Sequence, residues 1–282
     1  MTIEQRLDRY KRTVDRELER ILLRNNTLLF QAMRHSVLGG GKRYRPLLCL
    51  AAADAFAPEP AVILPFACAI ELIHSYSLVH DDLPCMDDDD VRRGRPTCHK
   101  EFGEDVALLA GDGLLTLAFE LMAEAEVPRR LLTKKIQVIR ETAELAGAEG
   151  MIGGQLLDIT FSAENATEAS LVELMLKKTG ALITASVRAG ALLGGASLAE
   201  LKAVTAFGEN LGLAFQFRDD IHDAAERSKK GVPSGPNYAR VFGAGKARDR
   251  LRSFVGTGLE ALDRGGVKAP LLRRLAGRLL EK

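Results

Sequence analysis

An all-α fold, a bundle of about ten helices around a central cavity, is what this sequence leads to. Two observations predict its all-helical character from the residues alone. Nearly every segment repeats apolar residues at helical spacing, and no stretch sustains the alternation of a strand. Capping signals also stand before the apolar runs: Thr2-x-x-Gln5, Asn165-x-x-Glu168 and Ser197-x-x-Glu200 read as capping boxes. Pro60 and Pro128 suit first helical turns. Helices are expected over residues 2–24, 28–37, 43–56, 60–82, 103–124, 128–147, 149–160, 167–193, 197–226 and 236–281, the last broken near Gly265 and Gly266. Gly39 to Gly41 and Lys229 to Pro236 read as loops. With 282 residues and no internal repeat, one domain spanning 1–282 is expected.

Composition narrows the function. A formal charge of +1, and no basic stripe interleaved with aromatics, give a nucleic-acid role no support. Cys49, Cys68, Cys85 and Cys98 lack CxxC spacing, so neither a disulfide framework nor a zinc site is expected. The opening Met1 to Gln5 is too polar for a signal peptide. The longest apolar run, 61–70, is interrupted by Pro65 and is too short to cross a bilayer. The expected setting is cytoplasmic, with no stable membrane anchor.

The chemistry lies in two acidic clusters. Asp81, Asp82 and Asp87 to Asp90 place six carboxylates within ten residues, followed by Arg92 and Arg93. Hard oxygen donors with cations beside them suit divalent metal held against a phosphorylated ligand. The helix before them is largely apolar, which implies burial of its end and disfavours an acidic surface loop. Pro84 should break or bulge that helix after Asp82 or Leu83 and let Asp87 return, making Asp81, Asp82 and Asp87 the expected ligands. His74, seven residues before Asp81, shares its face about 10 Å away along the axis. Far downstream, Gln216, Asp219, Asp220 and Asp223 form one polar stripe. Asp219 and Asp223 sit roughly 6 Å apart at Cβ, suited to one cation.

Three further groups are weaker alone. Gly39 to Gly41 precede Lys42, Arg43, Arg45 and Pro46, a pattern that suits an anion clamp at a helix start. Gln155 and Asp158 share one helix face. Lys177-Lys178-Thr179-Gly180 lies mid-helix, where Gly180 costs about 1 kcal/mol against alanine and suggests a local kink.

Together these residues resemble the short-chain trans-isoprenyl diphosphate synthases, in particular the bacterial-type farnesyl enzymes. Gly41 to Pro46 matches GKRxRP, and Asp81 to Arg93 matches DDxxxxD with paired arginines, continued by Gly94-Arg95-Pro96-Thr97. Gly154 to Asp158 matches GQxxD, Lys178-Thr179 the KT pair, and Phe215 to Asp223 FQxxDDxxD. The resemblance implies the all-α prenyltransferase bundle, a homodimer, and three Mg²⁺ ions per site, with Mn²⁺ an alternative. It assigns the metals to Asp81, Asp82, Asp87, Asp219 and Asp223. Arg92, Lys178, Thr179 and Gln216 would line the allylic diphosphate. Gly41, Lys42, Arg45, His74 and Arg93 would bind isopentenyl diphosphate. Tyr76, fifth before Asp81, would limit the product to fifteen carbons. Lys178, Thr179, Gln216, Arg92 and Arg93 would carry the chemistry.

One departure concerns the lysine-bearing lid that follows the second motif in the family. Here Lys230 aligns with the first lysine, the segment is shorter, and Gly235 stands where the second is expected. A twenty-carbon synthase is the near alternative, and a weakly active or non-catalytic partner subunit another; a terpene cyclase is disfavoured because the second motif keeps DDxxD.

Overall fold

Fourteen α-helices and one two-stranded ribbon are present among the described residues of the computed structural model, which are 1–56, 59–161, 166–227 and 237–281. The chain divides into two compact units, Met1–Leu50 with Glu59–Lys135, and Ala51–Pro58 with Ile136–Lys282.

The first unit is built on α4 (Pro60–Asp81). Pro60 opens it at the first turn, where no amide donor is required. Ile63, Phe66, Cys68, Ile70, Leu72 and Ile73 on it are fully buried, so this helix is apolar on all sides, as a core helix is. Beside it run α1 (Ile3–Leu22), α2 (Leu28–Leu38) and α6 (Glu104–Glu124). Thr2 and Gln5 form the expected capping box on α1, at 3.2 and 2.9 Å. The helix 4 register ends as Pro84 requires, with Asp82 as its C-cap. The ribbon that follows, β1 (Val91–Arg92) and β2 (Arg95–Pro96), pairs Arg92 with Arg95. It was not expected from the sequence, because two-residue strands leave no alternation to detect. The short α5 (Cys98–Phe102) is likewise additional.

The run 61–70 understates α4. Both α4 and α6 are long and apolar enough to cross a membrane by length and composition, which corrects the expectation drawn from uninterrupted runs. The apolar window of α4 is 67% buried, that of α6 39%.

The second unit centres on α11 (Leu198–Arg227), which packs against α10 (Ala181–Gly194) and α13 (Ala244–Arg264). Ser197 and Glu200 cap α11 as expected. The box expected from Asn165 is instead made by Thr167 and Ser170 at the start of α9 (Glu168–Met175); Asn165 itself lies outside the described residues. The expected helix 167–193 is interrupted between α9 and α10 by a π-helical turn, Leu176–Gly180. Gly212 of α11 lies so close that a Cβ there would sit 2.4 Å from the Cα of Gly180. Backbone thus packs on backbone, and a side chain at position 212 would block the approach. The last expected helix, 236–281, is three: α12 (Tyr238–Phe242), α13 and α14 (Pro270–Gly277). The first break falls at Gly243, whose φ of 92° suits glycine.

Candidate active site

In the first unit the end of α4, the aspartate loop and the ribbon bring most of the expected residues together. The Asp87 amide donates to the Asp81 carbonyl at 2.8 Å, so the loop folds Asp87 back onto the end of α4. Asp82 is buried and accepts from the Nε of Arg92 at 2.6 Å, while Arg92 Nη2 reaches Asp89 at 3.2 Å. Burial raises the Asp82 carboxyl above its ordinary 3.8, against the pull of Arg92. Arg93, at a positive φ of 54°, donates from Nη1 to the Gly40 carbonyl at 2.5 Å. Gly41 lies under that guanidinium: a Cβ there would be 3.1 Å from Arg93 Cζ. The glycine loop therefore cradles an arginine.

His74 lies half-buried on α4. Burial first, then Arg45, Arg93, Arg92 and Arg43, hold its imidazole well below the ordinary 6.5 and keep it neutral. These arginines form a cationic cluster around it, the field an anion needs. Lys42 is exposed and Arg45 buried beside it in sequence. Arg43 is a different case. Its guanidinium, 2% exposed, reaches Asp15 at 2.7 Å, Glu71 at 2.9 Å and the Val37 carbonyl at 2.8 Å. It ties α1, α2 and α4 together, so within the basic loop it is structural. Tyr76 is buried, with its ring edge-on to His80 at 5.7 Å and its phenol pushed up to about 12 by burial and Asp81.

In the second unit, the two weak features of the sequence meet. Lys178 Nζ pairs with Asp158, so the GQxxD and KT groups form one site feature. Gly154 makes this possible, since a Cβ there would lie 2.2 Å from the Lys178 backbone nitrogen. Thr179, inside the π turn, donates to Gln216 Oε1 at 2.7 Å, and Gln216 Nε2 donates to Asp220 Oδ1 at 2.9 Å. Asp220 is 3% exposed and also accepts from the Tyr238 amide at 2.6 Å. Burial raises its carboxyl to about 6, with Gln216 and Tyr238 pulling the other way. Asp219 and Asp223 are exposed on the same helix. The expected stripe thus splits into two outward carboxylates and one inward.

Tyr238 was not singled out from the sequence, and Glu168 only as the acidic member of the Asn165 capping box. The Tyr238 hydroxyl donates to Glu168 at 2.9 Å, as does Lys246 Nζ at 2.9 Å, and Arg250 pairs with the same carboxylate. Asn237 is the one signal that was available, an N-cap whose side chain accepts from the Arg240 amide at 3.0 Å. Lys230 and Gly235 lie outside the described residues.

As for metal, among the described residues no three His, Cys, Asp or Glu side chains converge on a ready-made ion site. The donor set still fits a hard divalent cation: Asp82 is a buried carboxylate already balanced by a cation, Arg92, and its neighbours in the loop are carboxylates too.

Comparison with known proteins agrees with this fold and these motifs. The family model for polyprenyl synthetase matches residues 26–233. Farnesyl diphosphate synthase of Geobacillus stearothermophilus is 46% identical over 265 residues, 90% of this chain and 89% of that one. The chloroplastic geranylgeranyl pyrophosphate synthase of Catharanthus roseus is 42% identical over 84% of this chain and 69% of its own. A solved FPP/GFPP synthase from Zymomonas mobilis superposes with a TM-score of 0.85 at 34% identity, covering 99% of this chain and 98% of that one. The chain belongs to the polyprenyl synthetase family.

Proposed function

We propose that this chain is a trans-prenyltransferase that condenses isopentenyl diphosphate with dimethylallyl or geranyl diphosphate to give farnesyl diphosphate. The observation that carries the reading is the presence of both aspartate motifs on an all-α fold, together with 46% identity to a bacterial farnesyl diphosphate synthase across 90% of the chain. The two units then act as one prenyltransferase domain, which the family match supports by running from one into the other.

Asp81, Asp82, Asp87, Asp219 and Asp223 would hold Mg²⁺, three ions by family resemblance, with Mn²⁺ an alternative. Bound there, the metal neutralises charge developing on the departing pyrophosphate. Arg92 and Lys178 add fixed positive charge on the allylic diphosphate as its C–O bond ionises. Thr179 spends its proton on Gln216, which leaves hydroxyl lone pairs, and the second lone pair of the Gln216 carbonyl, to face an allylic cation. Lys42, Arg45, Arg93 and neutral His74 bind isopentenyl diphosphate, with Gly41 setting the loop. The new carbon–carbon bond forms as the double bond of isopentenyl diphosphate attacks the cation. The proton then lost goes to the released pyrophosphate, and no protein nucleophile is required.

Tyr76, a large buried ring, favours a fifteen-carbon product over the twenty-carbon alternative. A soluble homodimer is the proposed assembly, supported by the exposed Leu108 and Leu109 on α6, at 47% and 56%. The test is incubation of purified protein with Mg²⁺ and labelled C5 and C10 diphosphates, followed by product chromatography. A C15 alcohol after dephosphorylation is expected; a cyclic product, or none, refutes the assignment.

A further inference from the structure

The ribbon 91–96 carries Arg92 and Arg93, yet packing does not hold it. Val91, Arg93, Gly94, Arg95 and Pro96 are exposed, and a cavity of about 40 Å³ is lined on one side by the ribbon and on the other by Ser75, Leu78 and Val79 of α4. Polar anchors must therefore fix its position. One is Arg92 on Asp82, a carboxylate assigned above to metal, and on its neighbour in the loop, Asp89. Another is independent of them. His35, half-buried near the end of α2, has Nε2 2.8 Å from the Pro96 carbonyl and Nδ1 3.2 Å from Nη2 of Arg95.

A carbonyl only accepts and a guanidinium only donates, so these partners assign the neutral imidazole with its proton on Nε2. His35 thus uses both ring nitrogens on the ribbon, and Phe102 supports the ring edge-on at 5.4 Å. The contacts continue into the glycine loop. A Cβ on Gly39 would lie 3.2 Å from Nη1 of Arg95, and Arg93 donates to Gly40. From α2, His35 holds the ribbon on one side while the loop that follows the same helix receives Arg93 on the other.

We propose that His35 is a positioning residue that sets the ribbon against the glycine loop and so holds Arg93 at the isopentenyl diphosphate subsite. The inference rests on the assignment of Arg93 to that subsite. It is tested by two-substrate steady-state kinetics on His35→Ala, His35→Gln, Arg93→Ala and the His35→Ala/Arg93→Ala double variant, with thermal unfolding of each. His35→Ala is expected to raise KM for isopentenyl diphosphate about fivefold, the scale of one lost hydrogen bond, with KM for geranyl diphosphate within about twofold. His35→Gln, whose amide nitrogen reaches the place of Nε2, recovers most of that rise. In the Arg93→Ala background the histidine change adds nothing.

Equal rises for both substrates, no rise, or the same increment with and without Arg93 overturns the proposal. Arg93→Ala with an unchanged KM for isopentenyl diphosphate overturns the subsite assignment, and the proposal with it. If His35→Ala fails to fold, Arg95→Leu, which removes the donor to Nδ1 at an exposed position, carries the same comparison.

Discussion

Arg43→Met should be the most destabilising single change in the basic loop, although its neighbours Lys42 and Arg45 are the ones assigned to substrate. The guanidinium and the Glu71 carboxylate are each 2% exposed, so the change strands a buried anion. Asp15 suffers less, being 35% exposed and also paired with Lys11 at 2.7 Å. Removing one member of a buried pair costs about 3–5 kcal/mol. For a chain of 282 residues that corresponds to a fall in Tm of roughly 5–8 °C. The double variant Arg43→Met/Glu71→Leu replaces the pair with apolar volume and should regain most of the loss, since the desolvation penalty disappears with both charges. Guanidinium unfolding and thermal melts of the wild type, both singles and the double give the comparison. A single variant within about 1 kcal/mol of wild type, or a double as unstable as the single, refutes the reasoning.

Tyr76→Ala should lengthen the product beyond C15, read by chromatography of the dephosphorylated alcohols; an unchanged C15 product removes Tyr76 from the product-length assignment. Thr179→Val deletes the hydroxyl that donates to Gln216 and should lower kcat about tenfold with KM for either diphosphate little changed, measured in the same assay. Glu168 is held at about 2, well below its ordinary 4.5, by Lys246, Tyr238 and Arg250. Its contribution to stability is complete above pH 4.5 and is lost as pH falls towards 2. Glu168→Gln, at a partly exposed site, should cost about 1 kcal/mol near neutral pH and flatten the pH dependence of Tm in that window. A parallel loss in wild type and variant between pH 4.5 and 2 counts against the pairing.

What the sequence disclosed and what it hid follow from the range of the interactions. Local signals read true: Thr2 with Gln5, Ser197 with Glu200, and Pro84 ending α4 are settled within a few residues. The unfavourable Gly180 announced a kink, and a π turn is what stands there. The contact it makes, with Gly212 of α11, lies 32 residues away and gives no periodic signal. Arg43 misled for the same reason. Its partners Asp15 and Glu71 are each 28 positions distant, and a run of basic residues after glycines looks alike whether it faces phosphate or a buried glutamate. At α9 two capping residues competed, and Thr167 is the one that caps. The meeting of Lys178 with Asp158 joins two features that were each weak because each was judged alone.

The inward turn of Asp220 changes how its motif should be interrogated. Two of the three aspartates look outward, while the middle one serves as a joist, nailed at one end to the Gln216 amide and at the other to the peptide nitrogen of Tyr238. An activity screen across the motif would score all three as essential and blur that division of labour. Calorimetry would separate them, because pulling out a joist weakens the floor whether or not any cargo is standing on it.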